Sequence, residues 1–397
     1  MTDHPVHIVD DDKLGEPLAP WTYRNPEFFQ LEYDAFFLSR WQWVCHIDDL
    51  AQPGDYFATD IGLDSVFVVK DKSQNIRGFQ NVCRHRASRI LEGQGHCRGV
   101  ICCPYHGWTY RLDGSLMAVP QQNSFRNLDK PQLGLKEIDV EVFNGLVFIK
   151  VNPGGPSVSE MFSHTNDYFE QYDVANYEKI HDELTEVWDV NWKVAWDNYL
   201  ENYHIPVGHP GLHRLVTENN EYECLSSGVD YGTFSVNTKP SKIPEERQYQ
   251  SLFPTAQARL PEKLRDKWVQ FGVEGNLGID LYPEMLDMFQ LCPLGPEKTL
   301  IRSAFYGHKD ATPDEQELRR LNMAINSKVN DEDRALCTRV QQGLRSHAYQ
   351  PGPLSEAEIG VFRFHESVRS KVPVAKLINA PPVGSVALEN KRLADSE

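Results

Sequence analysis

A chain of 397 residues, 40% hydrophobic and 24% charged, is long enough for two domains with buried cores. Its 57 acidic against 40 basic side chains give a net charge of −17, which argues against a nucleic-acid partner and mildly favours a cationic substrate or a basic protein partner. The first residues hold no basic region followed by an apolar run, and no stretch reaches the ~18 apolar residues of a membrane span. The eight Cys are therefore expected as thiols or metal ligands in a cytoplasmic protein.

Residues 1–40 are expected as an N-terminal helical segment that packs with the C-terminal domain. PEFFQLEYDAFFLSRW spaces aromatics at helical intervals, and Pro26 suits a first turn. From 41 to 155 the texture changes to a small all-β domain. YFATDIGLDSVFVVKD, IRGFQNVC, GVICCP, GWTYRLDGSL and VEVFNGLVFIKVN are short β-rich runs between Gly and Pro breaks, and Asp113-Gly114 signals a tight hairpin. PGGPSVSE follows as a linker, and 156–397 mixes helix with strand. VNWKVAWDNYLENYH reads as an amphipathic helix ending before Pro206, and LYPEMLDMFQLCPLG and TLIRSAFYGHKD as two strands. TPDEQELRRLNMAINSKVNDEDRALCTRVQQGLRS reads as one long helix or a pair. The class expected is α+β.

Two mixed pairs stand in the β-rich part: Cys83-x-His85, then, after seventeen residues, Cys103-x-x-His106. Structural zinc is one reading of four such ligands. One thiolate and one imidazole per loop also suits a two-iron, two-sulfide cluster with Cys on one iron and His on the other. Cys102, beside a ligand, reads as a buried strand residue pointing the opposite way. Cys45, Cys97, Cys224, Cys292 and Cys337 read as packing residues.

CRHR with CPYHGW at this spacing resembles the Rieske motif of the Rieske non-haem iron oxygenases. The resemblance implies that Cys83 and Cys103 hold the inner iron of a [2Fe-2S] cluster, His85 and His106 the outer one, with Trp108 nearby. Ala87 stands where many relatives have Gly. The implied fold is a Rieske β-domain plus a catalytic domain with a curved antiparallel sheet and a long helix across it, of the helix-grip or START-like kind.

Such an oxygenase also needs an iron with open positions, held by two His and a carboxylate. In NWKVAWDNYLENYHIPVGHP, Asp197, Glu201 and His204 fall four and three apart, on one face of a helix, and Pro206 bends the chain before His209. Alone, H-x4-H also fits ordinary surface or core histidines. The stretch resembles the NWK…EN…E-x-x-H-x4-H-P segment of the same family. That implies His204 and His209 as ligands of a mononuclear Fe(II), with His213 outside the pattern. The implied third ligand is Asp333, at an acidic helix start, with Glu332 and Asp331 as alternatives. Without the resemblance these acids read as complementing a helix macrodipole. Glu201 matches the acid that links a Rieske His of one subunit to an iron His of the next.

No G-x-G-x-x-G follows a strand. The family resemblance then implies a separate flavin/iron–sulfur NAD(P)H reductase, O2 as co-substrate, and a closed homotrimeric ring. The segment EDRALCTRVQQGLRSHAYQPGPLS is most similar to the glycine betaine, stachydrine, carnitine and choline oxygenase branch, which implies N-demethylation of a quaternary ammonium compound with formaldehyde release. Tyr203, Tyr282, Phe289, Phe305 and Tyr306 are aromatics available to face a cation. The alternatives are an aromatic-ring dioxygenase, an aromatic demethylase and, from another class, a Rieske electron carrier or a zinc-stapled structural protein.

Overall fold

The computed structural model describes residues 15–217, 221–224 (backbone only), 228–273 and 275–396. Cys224 lies outside the residues whose side chains are described. The chain divides into two compact units, residues 36–160, and residues 1–35 joined with 161–397. No helix among the described residues is long and apolar enough to cross a membrane.

The unit of residues 36–160 is all-β. Its strands are β1 (Gln42–His46), β2 (Asp55–Ile61), β3 (Asp64–Lys70), β4 (Ile76–Gln80), β5 (Gln94–His96), β6 (Val100–Cys102), β7 (Thr109–Arg111), β8 (Leu116–Ala118), β9 (Glu137–Phe143) and β10 (Leu146–Lys150). Seven form a sheet in the order β1-β10-β9-β4-β3-β2-β5, and β6-β7-β8 form a smaller one. Asp113-Gly114 makes the β7–β8 turn. Gly114 has φ +81°, and a Cβ there would meet the Phe79 ring at 2.4 Å. Phe67, Phe79, Ile101, Trp108 and Tyr110 share one core cluster with Cys83 and Cys103.

The other unit is α+β. Seven antiparallel strands, β11 (Tyr177–Trp188), β12 (Glu221–Cys224), β13 (Val229–Ser235), β14 (Lys267–Val273), β15 (Leu277–Leu281), β16 (Leu286–Gly295) and β17 (Lys298–His308), form a sheet in the order β11-β17-β16-β15-β14-β13-β12. Its helices include α1 (Pro26–Glu32), α2 (Trp192–Tyr199), α3 (Pro244–Gln257), α4 (Pro313–Gly343) and α5 (Ile359–Lys371). Asn25 caps α1 ahead of Pro26, and the chain continues as a π-helical turn, Tyr33–Leu38.

The long helix α4 is a single element. Thr312 and Glu315 close a capping box at its start, with Pro313 in the first turn. It lies over the sheet through Arg319, which donates to the Glu284 and His308 carbonyls, and through Asn326, which donates to Asp287. Helix α2 also rests on the sheet. Gly278 permits this: a Cβ there would stand 2.3 Å from the Phe289 ring and 2.8 Å from Tyr199.

Two expectations are corrected here. The helix expected to run up to Pro206 ends at Tyr199. The Glu201 carboxylate reaches forward to accept the N–H groups of Tyr203 and His204, and that local bonding replaces the next helical turn. Asp197, Glu201 and His204 therefore do not share one helix face. Asp197 points elsewhere, accepting from the Tyr23 hydroxyl at 2.8 Å and lying 3.0 Å from His365 Nε2 on α5. Second, Asp333 sits well inside α4, not at a helix start, so the macrodipole reading of the acids does not apply.

Candidate metal centres and cavity

The first centre lies in the all-β unit, and its two loops repeat one backbone pattern. The N–H of Cys83 donates to Ser88 O, and that of Cys103 to Trp108 O, each five residues on. The N–H of Ala87 donates back to Cys83 O, and that of Gly107 to Cys103 O, both at 3.1 Å. Ala87 and Gly107 hold matching left-handed conformations, φ +55° and +69°. The unequal C-x-H and C-x-x-H spacings thus sit on equivalent loops.

Both Cys side chains are 2% exposed. The His85 and His106 rings are partly exposed and meet edge to face at 4.6 Å. Trp108 stacks on His85 at 4.9 Å, nearly parallel. The Nδ1 of His85 is buried with no hydrogen-bond partner, the condition of a nitrogen reserved for a metal. Burial pushes the Cys83 thiol up. Burial also opposes ionisation of Cys103, but the N–H groups of Tyr105 and His106 outweigh it and hold that thiol below its ordinary value. Two buried sulfurs, two outer imidazoles and inward N–H donors fit an anionic two-iron cluster. Cys102 is exposed rather than buried: it alternates with Ile101 and Cys103, and those two neighbours are the buried ones. Cys45, Cys97, Cys292 and Cys337 are buried as expected of packing residues.

The second centre lies in the α+β unit. His204 follows the Glu201 turn. His209 ends the short helical stretch Ile205–Gly208, where Pro206 occupies the first turn. Asp333 comes from α4. One ligand atom from each of these three lies within 4.8 Å of the others. His209 Nε2 is 3.0 Å from His204 Nε2 and 2.9 Å from Asp333 Oδ1, and the latter is 3.6 Å from His204 Nε2. The other ring nitrogens are occupied. His204 Nδ1 meets Glu201 Oε1 at 2.5 Å, and His209 Nδ1 meets Glu332 Oε2 at 2.9 Å. Carboxylates on both Nδ1 positions fix the tautomers that present both Nε2 lone pairs to one point. Two imidazoles and one carboxylate converging from one side suit a mononuclear iron with open positions.

Burial opposes charge on His204, yet Asp333 and Glu201 more than compensate and raise it to about 9; His209 is raised in the same balance, with Asp333 its main support. Burial pushes the Asp333 carboxyl up, and the two histidines pull it below its ordinary value. Asp331 is apart, exposed and paired with Arg334. His213 does not join the group. Sequence reasoning weighed Glu332 only as an alternative ligand; its place behind His209 depends on how α4 meets the His209 turn.

A cavity of about 240 Å³ opens beside His204, His209 and Asp333. Helix α4 contributes Met323, Asn326, Ser327, Asn330 and Asp333 at three- and four-residue intervals along one face. The sheet contributes Tyr282, Phe289 and Phe305, three of the five expected aromatics, together with Trp268 and Phe234. Tyr203 and Tyr306 do not line it. Tyr203 is 66% exposed on the turn before His204, and Tyr306 is buried in the core. Two carboxylates that sequence reasoning missed, Asp280 and Asp287, also face the cavity. The signal lay in period two: Asp280 shares a strand face with Gly278 and Tyr282 in GIDLY.

Family models match two stretches of the chain: a Rieske [2Fe-2S] domain over residues 40–138, and the ring hydroxylating alpha subunit (catalytic domain) over residues 165–373. Chloroplastic choline monooxygenase of Arabidopsis thaliana is 28% identical over 375 residues, covering 89% of this chain and 82% of the relative. The glycine betaine monooxygenase oxygenase subunit of Pseudomonas aeruginosa is 26% identical, covering 86% of each chain. The carnitine monooxygenase oxygenase subunit of Acinetobacter pittii is 32% identical over a shorter stretch, 52% of this chain and 57% of the relative. Among solved structures, the quaternary ammonium Rieske monooxygenase CntA, in complex with an inhibitor, superposes with TM-score 0.77 at 23% identity, covering 90% of this chain and 95% of that one. Naphthalene 1,2-dioxygenase with bound indole gives 0.75 at 18% identity, covering 97% and 98%. At these identities the structural likeness speaks to fold.

Proposed function

Because this chain belongs to the Rieske non-haem iron oxygenases, whose two domains bind a [2Fe-2S] cluster and a mononuclear iron, we propose that it is the oxygenase component that N-demethylates a quaternary ammonium substrate. The observation that carries this reading is the two-histidine, one-carboxylate group opening onto a cavity of aromatic and acidic side chains. Cys83, Cys103, His85 and His106 are assigned to the cluster, and His204, His209 and Asp333 to the iron. The choline, glycine betaine and carnitine monooxygenases among its relatives support the substrate class.

In the overall reaction one O2 and one NAD(P)H, with one further proton, convert an N-methyl group of the ammonium ion into an N-hydroxymethyl group. One oxygen atom enters the new C–O bond, the other leaves as water, and the nicotinamide is released oxidised. The hydroxymethyl product then loses its hydroxyl proton and breaks its C–N bond to give a tertiary amine and formaldehyde. The bound iron supplies O2 activation. The chain's own residues do the rest. Glu201 and Glu332 hold the Nδ1 protons of His204 and His209 and so orient their Nε2 atoms. Tyr282, Phe289 and Trp268 line the space the cation would occupy and exclude water from it. Electrons come from a separate NAD(P)H reductase of the flavin/iron–sulfur kind. Glu201 supports a handoff between neighbouring subunits of a trimer, and sedimentation velocity at the mass of a single 45.5 kDa chain would remove that part of the reading.

A single turnover tests the activity. The iron-replete protein is reduced chemically, freed of reductant and mixed with O2 and a panel of quaternary amines and arenes. Formaldehyde in proportion to one quaternary amine is expected. In His204→Ala the cluster colour stays and formaldehyde is lost. A diol from an arene with no formaldehyde from any amine refutes the N-demethylation reading.

A further inference from the structure

The cavity's acidic side has a property the iron site does not explain. Asp280 and Asp287 are paired directly across β15 and β16, so their side chains share one face of the sheet. A single row crosses four strands, Gln270, Asp280, Asp287 and Phe305, and all four line the cavity. Like charges directly opposite each other on a sheet are destabilising, and more so away from water. Their hydrogen-bond partners are neutral: the Tyr199 hydroxyl donates to Asp280 Oδ1 at 3.0 Å, and Asn326 Nδ2 donates to Asp287 at 2.9 Å.

Among the described residues no Lys or Arg lines this cavity. The undescribed positions beyond residue 14 contain neither. Arg302 on β17 is already bound, to Glu183 and Gln290, and Arg334 to Glu186 and Asp331. Of the five carboxylates that line it, Glu186 pairs with Arg334, and Glu201 and Asp333 with the two histidines, which leaves Asp280 and Asp287 beside the aromatic rings with no cationic partner among the described residues. A zwitterion would bring a further carboxylate to the side of the cavity that Asp280 and Asp287 occupy, where no Lys or Arg among the described residues receives it.

We propose that Asp280 and Asp287, with Trp268, Tyr282 and Phe289, form a cation subsite, and that the substrate is an alkylammonium cation carrying no carboxylate. This rests on the N-demethylase reading and narrows it. Asn326, which holds Asp287, and Asp333 are seven residues apart on α4, or about 10 Å along the helix. That separation lets a small ammonium ion face the carboxylates on one side and offer a methyl group to His204, His209 and Asp333 on the other.

Calorimetric titration of the oxidised, iron-replete protein tests this without turnover. The ligands are choline, glycine betaine and 3,3-dimethylbutan-1-ol, the uncharged carbon isostere of choline. Choline is expected to bind at least about tenfold more tightly than either of the others. Asp280→Asn and Asp287→Asn are each expected to weaken choline about tenfold and leave the alcohol unchanged, with cluster absorbance and iron content retained. The proposal is overturned if betaine binds as tightly as choline, if the alcohol matches choline, if no choline binding is detected at millimolar concentration, or if both variants bind choline like the parent. The ligand series on the parent protein decides the matter even where a variant fails to fold. Formaldehyde from a betaine alongside any of these failures leaves the demethylase reading standing and removes only the subsite. Choline binding without formaldehyde from any amine does the reverse.

Discussion

Ala87 shows how much a single position can carry. Its loop is equivalent to the one at Gly107, and both need φ near +60° to turn the chain back onto the Cys carbonyl. Gly adopts that conformation freely, while Ala is strained by its Cβ. Ala87→Gly is therefore expected to stabilise the all-β unit by about 0.5–1 kcal/mol, the relief of strain exceeding the extra freedom of the unfolded chain. Denaturant titration followed at the cluster absorbance measures this, and an unchanged or lowered midpoint contradicts it. At the same scale, Cys83, His85, Cys103 and His106 were legible because each loop is nearly closed by local bonds within six residues. Asp280 and Asp287 were harder to see, since their importance comes from facing each other across two strands.

The elements show where helical periodicity misled. The spacing of Asp197, Glu201 and His204 satisfies a helix, yet the Glu201 carboxylate captures two backbone N–H groups and ends it. The start of α4 is set locally, in TPDE, where a Thr precedes Pro and a Glu follows at the third position. Glu315 does two jobs there, closing the cap and binding Arg259. Burial raises its carboxyl, but Arg259 and the Thr312 N–H prevail and bring it down to about 2. A lowered carboxylate stabilises the fold above its unfolded value and loses that contribution as pH falls towards the folded one. The contribution should be whole above pH ~5 and disappear between about 4.5 and 2. Glu315→Gln is expected to cost about 3 kcal/mol at neutral pH and to flatten stability against pH over that window. Equal slopes for variant and parent on acidification would rule this out.

For the whole molecule, the two units carry different metal chemistry. In the α+β unit the candidate centre joins a turn after α2 to the middle of α4, so iron held by His204, His209 and Asp333 would crosslink distant parts of the chain. Iron at about a hundred times its dissociation constant stabilises that unit by about 2.7 kcal/mol. A ferrous chelator too weak to strip the cluster is expected to lower its melting by roughly 5–10 °C and leave the cluster absorbance intact. Simultaneous loss of both signals would show that the two centres are not independently held. The buried Lys193–Glu32 pair, 2.6 Å apart and sealed from solvent, belongs to the same scale, since it ties the N-terminal segment to α2.

By itself the sequence determined what depends on neighbours along the chain: the two Cys/His loops, the Asp113-Gly114 hairpin, the cap of α4, and His204 with His209 five residues on. Those features rest on bonds and torsions that a few consecutive residues set. Tertiary structure alone decided what depends on the meeting of distant segments. Asp333 on α4 converges with the histidines, Glu332 meets His209 Nδ1, Asp197 faces Tyr23 and His365, and a cavity closes over two opposed carboxylates. Spacing cannot foretell these, because the rotation of a long helix over a sheet is set by the packing of the whole unit.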